Sequence, residues 1–176
     1  LTQGSTIPLP VISNSNTIEM HAFNQPGPDN AYLAKHAELL IASYQHWTGK
    51  HLLPQEADLD RYRALYNAPY AIVSHNTDAD PIFNYANLAA LSVFEMDWAT
   101  FTNLPSRKSA QPVDRAERDQ LMARVSRYGF IDDYKGVRIS STGKHFMIRE
   151  ATVWNIVDAQ GLYYGQAAVF YHWSKL

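Results

Sequence analysis

Apolar positions follow two rhythms along this chain, and the change from one to the other divides it. From residue 29 to 48, Leu33, Ala37, Leu40, Ile41, Tyr44 and Trp47 recur at helical spacing, with Asp29 and Asn30 ahead of them as caps and Gly49 behind. That spacing predicts an amphipathic helix. A shorter helix is predicted in "DLDRYRALY" (58–66), where Leu59, Tyr62 and Leu65 share a stripe. The rhythm then changes. "PYAIVSHNT" (69–77), with β-branched Ile72 and Val73, reads as a strand ended by the polar turn "NTDADP", and "IFNYAN" reads as its hairpin partner. Asn87 is placed to cap the next helix, "LAALSVFE", whose Leu88, Leu91 and Val93 or Phe94 face back to the sheet.

A loop, "FTNLPSRKSAQPV", leads to a helix over 114–128. Asp114 and Glu117 are spaced as a capping box, Leu121, Met122 and Val125 supply its buried stripe, and Gly129 ends it. The remainder alternates as β: "FIDDYKGVRIS", "HFMIREATVWNIVD" and "LYYGQAAVFYHW", joined at Ser141-Thr142-Gly143 and Ala159-Gln160-Gly161. Turns this short join adjacent antiparallel strands, so the last three strands form a meander. The expected class is α+β, a five-stranded antiparallel sheet with helices on one face. Residues 1–28, rich in Ser, Asn, Pro and Gly, are expected as an extended arm, 29–68 as N-terminal helices and 69–176 as the sheet domain.

Composition narrows the function more than the fold. With 176 residues, 46% apolar and 18% charged, the chain suits one folded domain. The net charge of −2 gives no global basic field for nucleic acid or anionic lipid, so neither partner is expected. With no cysteine, disulfides, thiolate metal sites and cysteine nucleophiles are excluded. No apolar run approaches the roughly 20 residues of a membrane span, and the opening residues lack a charged segment followed by an apolar one. The expected compartment is cytoplasmic.

The element order is similar to that of a PAS domain. More specifically, "DADPIFNYANLAALSVFE", "LPSRKSA" and "VWNIVDAQGLYYGQAAVFYHW" resemble the MEKHLA domain. This PAS-related family occurs at the C-terminus of some plant homeodomain–leucine-zipper regulators and as short stand-alone bacterial proteins, the type expected here. The likeness runs from about Leu33 to Trp173 and covers no catalytic motif. It implies sensing, ligand binding or protein association, with a cavity between the sheet and the helices. Asn87 stands where PAS domains open the helix after the second strand, a capping role. The light-sensing flavin branch needs a cysteine, so a cysteinyl–flavin photocycle is excluded, while a noncovalent small molecule, flavin included, stays open as a cofactor.

Expected cavity residues are Phe83, Tyr85, Trp154, Asn155, Gln166 and Phe170, with Arg107 at its edge. Asn155 and Gln166 can offer amides to a ligand or bond to backbone. Trp154 can serve as core instead of platform. Arg107, in "LPSRKS" with Ser106 and Ser109, can fork onto a ligand carboxylate or phosphate, or pair with a structural carboxylate. On the last strand Gln166, Ala168, Phe170 and His172 share one face and Gly165, Ala167, Val169, Tyr171 and Trp173 the other. The seven histidines show no metal-ligand spacing, and "DDY" (132–134) and Glu150 mark no catalytic pair.

Three functions fit the sequence. The first is a sensory or ligand-binding module without catalysis that signals through dimer or partner contacts, with the helix over 30–48 outside the core as the homodimer contact. The second is an interaction module whose core its own aromatics fill, and the third a small enzyme of the cone-shaped, curved-sheet type.

Overall fold

The structure, a computed structural model, describes residues 23–54, 60–111 and 115–176. Expectations for residues 1–22 of the arm, for Leu59 and for the Asp114 cap lie outside the described residues. The elements are α1 (Ala34–Thr48), α2 (Arg61–Tyr66), β1 (Ala71–His75), β2 (Phe83–Ala86), α3 (Leu88–Phe94), α4 (Trp98–Phe101), α5 (Arg115–Tyr128), β3 (Phe130–Ile139), β4 (His145–Val157), β5 (Tyr163–Phe170) and β6 (His172–Lys175).

All strand pairs are antiparallel, in the order β2-β1-β5-β4-β3, with β6 also on β4. The single last strand of the sequence reading is thus two. β5 pairs with Thr152–Val157 and β6 with Phe146–Arg149, on either side of Glu150, which has φ 51°. Against β3, where the register shifts between Tyr134 and Gly136, β4 carries one extra residue here; a left-handed residue at such a bulge bends the strand, and the strand on the other side of β4 breaks at Tyr171.

The first helix starts later than its sequence predicts. Asn30 closes a 3-10 turn at Pro28–Asn30, its Oδ1 accepting from Gly27 N–H at 3.0 Å. Ala31, Tyr32 and Leu33 then take left-handed backbone before α1 begins. Nor does α1 lie outside the core. Ala37, Leu40 and Tyr44 are buried, Tyr44 packs edge-on to Trp154 with ring centroids 5.1 Å apart, and Trp154 Nε1–H donates to Ser43 Oγ at 2.9 Å. The helix covers the sheet face carrying Trp154, so helices occupy both faces.

On the opposite face α3, α4 and α5 close the second layer, through Phe94, Phe101, Leu121 and Val125. Asn87 holds this layer in place. Its Oδ1 accepts from Ala90 N–H at 3.1 Å, the N-cap bond its position predicts, and also from Ile72 N–H at 3.0 Å. Its Nδ2 donates to Tyr70 O and Leu65 O. The loop after α4 is pinned to β2: Phe83 N–H donates to Leu104 O, and Ser106 N–H to Pro81 O.

Candidate functional site

A row of three polar residues crosses the sheet beneath α5. His75 on β1 is opposite Gln166 on β5, which is opposite Asn155 on β4, and all three are buried. Gln166 Nε2–H donates to Asn155 Oδ1 and Ser126 Oγ, both at 3.1 Å, and Asn155 Nδ2–H to Val125 O at 3.0 Å. The amides tie sheet to helix, satisfying groups whose burial would otherwise be costly. Gln166 Oε1 has no hydrogen-bond partner.

Beside this row a cavity of about 80 Å³ remains between the sheet and the helices. Phe83, Phe94, Leu121, Ile148, Val153 and Phe170 form its apolar wall, and His75, Ser106, Ser109, Arg118, Arg138 and Gln166 its polar one. The His75 Nδ1–H donates to Asn76 O at 2.9 Å. Burial lowers its pKa to about 4 against the lift that this bond and a bond to Gln166 would give the charged ring, so the ring is neutral at neutral pH.

Two guanidiniums share the cavity. Arg118, on α5, is 6% exposed and bonds through Nη2 to Ser106 Oγ. Its ion pair is Nη1 with Asp119 at 3.7 Å, and that carboxylate is 73% exposed. Arg138, on β3, is 9% exposed, lies 5.2 Å over the Tyr134 ring and donates to Val137 O at 2.9 Å. Burial first, and the charge of Arg138 second, pull the Arg118 pKa down to about 10.

Of the residues the sequence brings forward, Phe83, Gln166 and Phe170 line the cavity and Asn155 positions Gln166. Tyr85 and Trp154 do not line it. A register shift between Ser74 and His75 puts Phe83 opposite His75 and Tyr85 opposite Ser74, so two residues at even spacing face opposite sides. Tyr85 lies beside His36 of α1, and Trp154 is fully buried under the same helix. Arg107 Nε–H forks onto both Asp80 oxygens at 3.1 Å, the structural pairing among its two readings, and its side chain is 42% exposed.

Sequence reading missed Arg118 and Arg138, though both carry a signal. Arg118 is three and four residues ahead of Leu121 and Met122, on the buried stripe of α5, and Arg138 alternates in phase with Tyr134 and Gly136. A second buried polar cluster lies under α1. Ser74 Oγ–H donates to Asn84 Oδ1 at 2.6 Å, so the 2.9 Å contact with His36 is a donation from His36 Nε2–H. Among the described residues, no group of three or more histidines or carboxylates is placed to hold a metal ion, and no helix is long and apolar enough to cross a membrane.

The model of the MEKHLA domain matches residues 34–175. The chain belongs to the MEKHLA domain family. Its relatives include the homeobox-leucine zipper proteins ATHB-9 of Arabidopsis thaliana, 26% identical over 78% of this chain, and HOX32 of Oryza sativa, 24% identical over 86%. The MEKHLA chain covers only 16% and 18% of those two proteins, less than a fifth of either. Similar solved structures are the light-state dimer of the fungal blue-light photoreceptor Vivid and a PAS domain from Colwellia psychrerythraea. The first has TM-score 0.55 at 13% identity, covering 78% of this chain and 93% of that one. The second has TM-score 0.53 at 14% identity, covering 66% and 93%. These likenesses give the MEKHLA chain a PAS-like fold.

Proposed function

We propose that this MEKHLA chain is a cytoplasmic PAS-like sensory module that binds a small molecule in the cavity and passes its occupancy to a partner. One observation carries the reading: in a core otherwise filled by aliphatic and aromatic side chains, a space bounded by both polar and apolar side chains is left between sheet and helices. Its size favours a ligand of a few heavy atoms over flavin, because sites for drug-sized ligands run to roughly 300–1,000 Å³. His75, whose ring bonds to a backbone carbonyl and not to a carboxylate, supports binding over catalysis.

The partner contact we assign is a homodimer through the outward side of α1, where Lys35, Ala42 and His46 are exposed. Native mass spectrometry of freshly purified protein, compared with the mass after denaturation, tests the ligand. Extra mass lost on denaturation is expected, and a clean mass at both stages, with no compound restoring it, would overturn the reading. The same spectrum reads the dimer, and a monomer at every concentration removes that contact.

A further inference from the structure

The two cavity guanidiniums are out of balance with the rest of the core. Buried charges are ordinarily paired, because an unpaired one loses its hydration without return. Among the described residues, Arg118 has an ion pair only with the largely exposed Asp119, at 3.7 Å, and Arg138, which meets the ring and hydroxyl of Tyr134 and a backbone carbonyl, has no carboxylate partner. An exposed carboxylate at that distance contributes little. Asp80, the acidic neighbour across the loop, is engaged by Arg107. The polar wall therefore presents two positive groups with spare N–H donors, the hydroxyl of Ser106, and one buried acceptor, Gln166 Oε1, that the neutral His75 ring leaves unsatisfied.

We infer that the cavity binds a small organic carboxylate bearing a hydroxyl or amine. The carboxylate lies against Arg118 and Arg138 and the donor bonds to Gln166 Oε1. A guanidinium matches a carboxylate with paired N–H donors, and among buried side chains such a bond is stronger than in water. A simple anion leaves Gln166 Oε1 unsatisfied, and a neutral alcohol leaves the guanidiniums unpaired. Only a molecule with both groups completes the wall. At about 80 Å³ the cavity suits a carboxylate of a few heavy atoms, and the apolar wall of Phe83, Phe94 and Phe170 excludes larger polar acids. This inference rests on the ligand-binding reading of the same cavity.

The test is an NMR titration of the 15N-labelled protein with glycolate, acetate and ethanediol at ionic strength matched with chloride. Glycolate carries charge and donor, acetate the charge alone and ethanediol the hydroxyls alone. Saturable shifts at cavity residues are expected with glycolate, weaker binding by about tenfold with acetate and none with ethanediol. Arg138→Gln and Arg118→Gln are expected to abolish glycolate binding, and Gln166→Leu to erase its advantage over acetate. Arg107→Gln, whose side chain is on Asp80, is expected to leave binding unchanged. Should Arg118→Gln fail to fold, the three-compound comparison and Arg138→Gln decide alone. Glycolate binding no better than acetate, or unaffected by Arg138→Gln, would overturn the inference. A neutral molecule released in the mass spectrum, with glycolate silent, would also overturn it while leaving the sensory reading intact.

Discussion

Trp154 Nε1–H donates to Ser43 Oγ at 2.9 Å, joining a fully buried ring at the centre of the sheet to the middle of α1. This contact fixes the helix to the face opposite the cavity. Ser43→Ala strands a buried N–H and is expected to cost about 1–3 kcal/mol. In a Trp154→Phe background the same change should cost much less, because the donor is already gone. A double-mutant cycle in urea measures the coupling. Additive costs would show that the bond does not hold α1 down.

Asn87 separates a helix cap from a clamp. Asp caps helices as well as Asn does. Here, however, the Asn87 Nδ2 donates to the carbonyls of Tyr70, at 2.7 Å, and Leu65, at 3.2 Å. A carboxylate oxygen in that place would face two carbonyl oxygens without a proton. Asn87→Asp is therefore expected to lose about 3 kcal/mol or more, as much as Asn87→Ala. Urea midpoints for the two variants check this, and a stable Asp variant would reduce Asn87 to its capping role.

What was legible in the sequence is what local pattern decides. The stripe of α1, the Asn87 cap, the β1–β2 hairpin and the meander turns are all set by spacing within a few residues. The faces of the strands are not. One register shift sends Phe83 into the cavity and Tyr85 out of it, and one left-handed residue, Glu150, splits the last strand in two. Neither carries a mark of its own, since shifts of register depend on the neighbouring strand. The same holds for α1. Its apolar stripe shows that it packs, but not against which face, and the sheet here is apolar on both. Arg118 does not stand out in the sequence because a charge on a helix ordinarily marks the solvent side, whereas here it is on the buried stripe, where long stems bury readily.

Gly165 tests the seam between β1 and β5. Its φ is +123°, and a Cβ there would come within 1.9 Å of His75 O, a backbone atom of the neighbouring strand. Neither strand can yield without breaking the ladder that places His75 opposite Gln166. Gly165→Ala is expected to prevent stable folding. Gly161→Ala, at φ +80° with open space around it, should cost only about 1 kcal/mol. Thermal melts of the two variants make the comparison, and equal small losses would mean that the seam tolerates a side chain.

Acid should destabilise the fold through two histidines on opposite faces of the sheet. Burial lowers His36 to about 4, and burial, reinforced by Arg118, lowers His75 to about 4. Above the ordinary value of 6.5 both rings are neutral whether the chain is folded or not, and they contribute nothing to the pH dependence. As pH falls below 6.5, the unfolded chain takes up protons that the fold refuses, and stability is lost until about pH 4, where the folded rings protonate as well. Each shift corresponds to roughly 3 kcal/mol at the acid end of that window. Glu95, held to about 2 by bonds from Thr142, Ser140 and Lys144, acts the same way lower down: its contribution is lost only as pH falls from the ordinary carboxylate range toward 2. The histidines therefore own the upper window. His36→Gln, whose amide can still donate to Ser74, is expected to flatten the fall in the urea midpoint between pH 6.5 and 4. His75→Gln should do likewise, and an unchanged slope in both variants would assign the acid sensitivity elsewhere.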